Sequence, residues 1–143
     1  MAPLTETLHA TSVSVEGHAV LILGASGTGK SALALQLIAL GAELVADDRT
    51  IITRSSKTLR ASVPEAIAGQ IEARGVGILG VPHAASAQVV LAVDMGRQSA
   101  KRLPEPETID VLGIALPCLC RVDGPHFAAA ILLSLRRSIN LRS

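Results

Sequence analysis

Aromatic side chains are almost missing from this sequence: its 143 residues hold one Phe, no Tyr and no Trp. Proteins that grip single-stranded nucleic acid stack the bases on aromatic rings, so that class is excluded. A net charge of +1 also excludes the basic surface that a general nucleic-acid binder needs. An adenine ring, if bound, must be held by aliphatic side chains or backbone. No apolar run reaches the roughly 20 residues of a membrane-spanning helix. The opening stretch, Met1 to His9, has neither the basic nor the apolar region of a secretion signal. A soluble, cytoplasmic protein with no membrane or nucleic-acid partner is therefore expected. Cysteine is scarce as well. Cys118 and Cys120 would share one side of a strand. With no His or further Cys beside them they do not make a zinc site, and they read as small buried hydrophobes. Internal repeats, linkers and low-complexity tracts are lacking too, so residues 1–143 are expected to form one domain.

What is abundant is aliphatic: the sequence is 49% hydrophobic, mostly Ala, Leu, Val and Ile. One stretch breaks that pattern with chemistry. Gly24-Ala25-Ser26-Gly27-Thr28-Gly29-Lys30-Ser31 fits G-x-x-x-x-G-K-[ST] at every position. The apolar run His18–Leu23 leads in as a buried strand, and Ala32–Leu40 leads out as a helix ending at Gly41. A glycine-rich turn between strand and helix points backbone N–H groups inward, and the helix N-terminus adds partial positive charge. Phosphate oxygens are what such a cradle binds. Lys30 can reach the β and γ phosphates, and the Ser31 hydroxyl can ligate magnesium.

Carboxylates come next. Glu43–Asp48 reads as a strand ending in the pair Asp47-Asp48, where ligands of open α/β sheets sit. Ala87–Asp94 reads as a strand with a terminal acid, which makes Asp94 a rival for the metal. Residues 1–23 read as two strands joined by a turn at Glu16-Gly17, and Thr11–Val15 alternates as a half-buried strand does. Thr50–Arg54 and Thr58–Ser62 read as a hairpin. Pro64–Ala73 reads as a short helix. Glycines 75, 77 and 80 place Glu72 and Arg74 at an element end or on a loop. Gly96–Thr108 reads as a surface loop carrying Arg97, Lys101 and Arg102. Ile109–Val122 supplies further strand. Phe127–Leu135 reads as a last helix, with Arg136 and Arg137 at its C-terminal dipole.

In order, the chain presents His9, the loop Gly-x-Ser-Gly-x-Gly-Lys-Ser, Leu44-Val-Ala-Asp-Asp48 and Ile71-Glu-x-Arg-Gly-Val-Gly-Ile78. This set resembles the catalytic C-terminal domain of bacterial HPr kinase/phosphorylase. The resemblance covers residues 9 to about 135, and Glu-x-Arg-Gly-x-Gly-Ile is its most specific part. It implies a P-loop kinase-like α/β domain with a mixed sheet, of the HPr kinase C-terminal and PEP carboxykinase-like type. It implies ATP and Mg2+ as cofactors and an HPr-like phosphocarrier of the sugar phosphotransferase system as partner, phosphorylated on serine. Many members also remove that phosphate with inorganic phosphate. By motif, Gly24, Ala25, Ser26, Gly27, Thr28, Gly29, Lys30 and Ser31 would bind nucleotide phosphates, and Ser31 and Glu72 would hold magnesium. Asp48 would be the base, with Asp47 beside it and His9 at the active site. Arg102 would match the arginine that contacts the moving phosphate.

The chain also departs from that pattern. The family's N-terminal domain and most of its C-terminal extension have no counterpart, and Gly124-Pro125-His126 stands where the family reads Gly-Arg-Asn. Slow phosphorolysis relative to kinase activity is therefore expected, and a homo-oligomer is left open. A small-molecule kinase, an NTP-driven switch and a regulatory nucleotide-binding module stand as alternatives.

A nucleotide that binds the loop stabilises the fold by mass action, by about 2.7 kcal/mol at 100 times its dissociation constant. Thermal melts with ATP and magnesium should shift upward, and Lys30→Ala should shrink that shift. Melts unmoved by any nucleotide at millimolar concentration would rule out phosphate binding at residues 24–31.

Overall fold

The computed structural model describes residues 4–142, with side chains described through Arg137; Met1–Pro3 and Ser143 of the expected single domain lie outside the described residues. In chain order the first elements are β1 (Leu4–Leu8), β2 (Ala10–Val15), β3 (His18–Leu23), α1 (Lys30–Ala39) and β4 (Glu43–Ala46). There follow β5 (Thr50–Ser55), β6 (Thr58–Ser62), a short 3-10 turn (Glu65–Ile67), β7 (Gln70–Ala73) and β8 (Gly77–Gly80). The chain ends in β9 (Ser86–Gln98), β10 (Glu107–Val111), β11 (Ile114–Arg121) and α2 (Phe127–Arg142).

From Ala19 to Leu23 strand β3 is apolar, and the fold covers both its faces. Ala19 and Leu21 enter one core, Val20 and Ile22 the other. Its neighbours are β2, antiparallel, and β9, parallel. The main sheet runs β1-β5-β6-β9-β3-β2-β4, with β11 and β10 attached through β9. It is the expected mixed sheet. Thirteen residues of β9 serve three partners: β3 along one edge, and β6 then β11 along the other. A bulge lets β9 do this. Ala19 pairs Val89 but Val20 pairs Leu91, so Val90 is the extra residue. One inserted residue flips the alternation. Ala87 and Val89 therefore face one core, while Leu91, Val93 and Met95 face the other.

The first core lies between the sheet and the two helices. α1 contributes Leu33, Ala34 and Leu37; α2 contributes Phe127, Ile131 and Leu135. These spacings form single stripes on 3.6-residue helices. No helix covers the second core among the described residues. The sheet curls over itself instead, so that Ile52, Leu59, Val111 and Leu116 pack on Ala19, Leu21 and Ala92. Small and β-branched residues suit a curl that must close at short range.

Several local expectations need correction. Residues 4–23 hold three strands, not two, because β1 pairs with β5. β2 is buried along all six residues rather than on one side, since β3 and β4 flank it and both cores cover it. Pro64–Ala73 is not a helix: one 3-10 turn gives way at Gly69 to β7, which pairs with β8 as a hairpin. Glu72 thus lies within a strand, with Arg74 in the hairpin turn. Asp94 is not terminal, because β9 continues to Gln98 alongside Arg121. The surface loop shrinks to 99–106. Arg136 and Arg137 sit inside α2, which runs on to Arg142. Cys118 and Cys120 are half-buried rather than buried.

The packing of α2 gives a stability test. Ile131 is fully buried and Leu133, two residues on, is 67% exposed. Ile131→Ala should cost about 2–5 kcal/mol, and Leu133→Ala no more than about 0.5 kcal/mol. Urea titration distinguishes them; equal losses would mean that α2 does not pack through its Phe127–Ile131–Leu135 face.

Candidate active site

β3 ends at Leu23, and the chain turns through Gly24–Gly29 into α1. The turn requires glycine at both ends. Gly24 has φ +147, and a Cβ there would lie 2.6 Å from Thr28 Oγ1. Gly29 has φ +94, a left-handed conformation that non-glycine residues adopt at a cost. Thr28 closes the turn from inside, its hydroxyl donating to the Ala25 carbonyl at 2.7 Å. Lys30 is 6% exposed. Its ammonium donates to the carbonyls of Gly24 (2.7 Å) and Ala25 (3.2 Å), and among the described residues it pairs with no carboxylate. The buried charge is therefore solvated by the mouth of the loop it would serve.

Asp47 follows directly on β4 and is the point where separate segments meet. Its Oδ1 accepts from the Ser31 hydroxyl at 2.6 Å and from the Thr11 hydroxyl at 3.2 Å. Its Oδ2 accepts from the Glu72 backbone N–H at 3.1 Å. One carboxylate thus ties the start of α1, β2 and β7 together. The arrangement brings Glu72 to within one carboxylate of Ser31, although it is the Glu72 amide, not its side chain, that makes the bond.

Asp48 turns the other way. Its φ is +67, in the left-handed region, and its N–H donates to Thr11 Oγ1 at 3.1 Å. Its Oδ1 lies 2.5 Å from His9 Nε2, with both side chains about half exposed (57% and 51%). An ionised carboxylate only accepts, so this bond calls for the tautomer that carries its proton on Nε2. Both carboxylates border a cleft of about 290 Å³. Asp47, Asp48 and Glu72 form part of its lining, and Pro64, Ile67 and Ile78 another part.

The remaining candidates are placed differently. Asp94 pairs in register with Leu23, beside the loop, but its Oδ1 accepts from the Gly96 N–H at 2.9 Å and makes no bond to Ser31. Its neighbour Arg97 hydrogen-bonds Cys120 and Glu107, and these contacts push the guanidinium pKa further up. Burial, and then the Asp94 charge, push the Cys118 thiol up. Arg102 lies exposed on the 99–106 loop, outside the hydrogen-bonded set. Sequence reasoning missed Thr11, the hydroxyl that touches both aspartates. Its signal was a hydroxyl on the Val13–Val15 side of β2, the side that alternation turns toward the interior.

The oxygen set has the chemistry of a magnesium site. Mg2+ takes few protein oxygens and fills its shell with water and substrate phosphate. Ser31 and Asp47 offer a hydroxyl and a carboxylate 2.6 Å apart beside the loop. No group of three His, Cys, Asp or Glu forms a closed cage among the described residues.

Comparison with known proteins comes from three directions. The family model described as HPr Serine kinase C-terminal domain matches residues 1–98. The HPr kinase/phosphorylase of Caldicellulosiruptor bescii is 39% identical over 142 residues, covering 90% of this chain and 46% of that protein. The HPr kinase/phosphorylase of Thermoanaerobacter sp. is 50% identical over 76 residues, covering 52% of this chain and 25% of that protein. The chain thus spans less than half the length of these curated relatives. The solved structure of the Hpr(Ser) kinase/phosphatase from Coxiella burnetii superposes with a TM-score of 0.75 at 27% identity, covering 96% of this chain and 92% of that chain.

The three bonds of Asp47 predict an asymmetry between the aspartates. Asn at position 47 has one acceptor oxygen, so its NH2 must face either the Glu72 N–H or the two hydroxyls. Asp47→Asn should cost about 1–3 kcal/mol of stability. Asp48→Asn, exposed, should change stability by no more than about 0.5 kcal/mol. Denaturant midpoints for both variants check this, and a neutral Asp47→Asn would show the carboxylate is not a structural tie.

Proposed function

The chain belongs to the HPr serine kinase C-terminal domain family, and from that premise we propose that it is an ATP-dependent kinase that phosphorylates a seryl hydroxyl of an HPr-like phosphocarrier protein. The observation that carries the reading is the division between two adjacent carboxylates. Both border the cleft, but Asp47 is bonded to the glycine-rich loop through Ser31, and Asp48 is bonded to His9 instead. A phosphoryl-transfer site needs one oxygen group on the donor side and a base on the acceptor side.

In this reading the backbone amides of Gly24–Ser31 hold the ATP phosphates, and Lys30 exchanges its two loop carbonyls for phosphate oxygens. Ser31 and Asp47, with Glu72 nearby, hold magnesium, which when bound neutralises charge on the β and γ phosphates. Asp48 accepts the seryl proton as the phosphoryl group moves. His9 orients the Asp48 carboxylate by donating from Nε2. Arg102, on its exposed loop, supplies positive charge from the acceptor side. Little covalent work is asked of the protein; positioning and charge neutralisation supply the rate. The reverse reaction with inorganic phosphate is slow, because Gly124-Pro125-His126 lacks the polar pair that the family carries there.

Labelled ATP, magnesium and HPr-like proteins, followed by mapping of the modified residue, test this directly. A single labelled serine is expected. Asp48→Asn should lower transfer about 10²–10⁴-fold and leave ATP affinity within a few-fold. Label that goes to no protein, or transfer that survives Asp48→Asn while Asp94→Asn abolishes it, would overturn the reading.

A further inference from the structure

Strand β2 reads Ala-Thr-Ser-Val-Ser-Val, and its Thr11 is fully buried. A buried hydroxyl without partners is costly, so its bonds define its role. Thr11 Oγ1 accepts from the Asp48 N–H at 3.1 Å, because a backbone N–H can only donate. Its one proton is left for Asp47 Oδ1, at 3.2 Å. The same atom therefore holds the side chain of one aspartate and the backbone of the next. That backbone has φ +67, a conformation a non-glycine residue keeps only when its surroundings hold it. The opposite face of β2 grips the segment just after it. Thr50 Oγ1 donates to the Ala10 carbonyl at 2.8 Å and lies 3.1 Å from Ser12 Oγ. The acidic turn is pinned to β2 on both sides.

We propose that Thr11 is a positioning residue that sets the opposed directions of Asp47 and Asp48, the first toward the phosphate loop and the second toward the acceptor. The proposal rests on the kinase reading above for its catalytic consequence, but its structural half can be measured without any acceptor. Thr11 touches no phosphate and no reacting atom; it acts through the two carboxylates. Valine has the shape of threonine without the hydroxyl, so it removes both bonds and keeps the packing of β2. Serine keeps both bonds and loses a methyl group.

Amide hydrogen exchange at residue 48 is measured first, in the 143-residue chain. Thr11→Val should speed it about tenfold, and Thr11→Ser should leave it near the parent rate. Phosphate transfer at saturating ATP is measured next. Thr11→Val should lose about 10–100-fold in kcat with KM for ATP within about threefold, and Thr11→Ser should restore most of the rate. Unchanged exchange at residue 48 in Thr11→Val would overturn the proposal, whatever the activity. So would equal loss of rate in both variants, which marks packing, or a raised KM with kcat retained, which marks the nucleotide site. A parent chain that transfers no phosphate refutes the kinase reading instead; exchange at residue 48 then decides the pin alone.

Discussion

A carboxylate drawn partly out of water must be met by donors. At Asp47 that requirement is met by groups from three separate parts of the chain: the Ser31 hydroxyl, the Thr11 hydroxyl and the Glu72 amide. The three donors are held in place by different elements, α1, β2 and β7, so each element's position is tied to the others through one side chain. The glycine-rich loop, the cleft and the hairpin that walls it are held in register for this reason. Remove the charge and the loop keeps its glycines, but its connection to the cleft is lost.

The sheet's curl is what allows these parts to meet. Helices cover only one face, and β5, β6, β10 and β11 close the other by folding over it. The strand leaving the acidic turn, β5, is therefore drawn back across β2, and Thr50 comes to rest on the Ala10 carbonyl. Aliphatic and small side chains make this closure possible without rings. The bulge at Val90 shifts the alternation of β9 between the part paired with β6 and the part paired with β11.

Burial also explains the arrangement around Lys30 and Asp48. The lysine is nearly enclosed and takes its solvation from two loop carbonyls. Asp48 stays half exposed with a histidine as its neighbour. Adjacent residues at a strand end diverge, so one carboxylate ties separate segments together while the next stays half exposed beside His9.

The phosphate loop was legible in the sequence because its chemistry is local: eight consecutive residues dictate the turn, and a strand and helix on either side are read from the same short window. The β5–β6 hairpin, the start of α2 and the Asp47-Asp48 strand end were legible for the same reason. Periodicity failed where burial came from distant chain. Ser12 reads as solvent-facing and Thr11 shares the side of Val13 and Val15, and only the β4–β5 turn, arriving from 36 to 38 residues away, supplies a partner for each hydroxyl. Pro64–Ala73 carries helical signals, but pairing with β8 outweighs a weak local preference. Asp94 was as good a candidate as Asp47 on sequence, since both follow apolar strands. The sequence by itself determined the glycine-rich turn between strand and helix and which carboxylates were available. Which carboxylate meets Ser31, and which meets His9, was decided only by tertiary structure, because hydrogen bonds are made between atoms a few ångströms apart in space, whatever their separation along the chain.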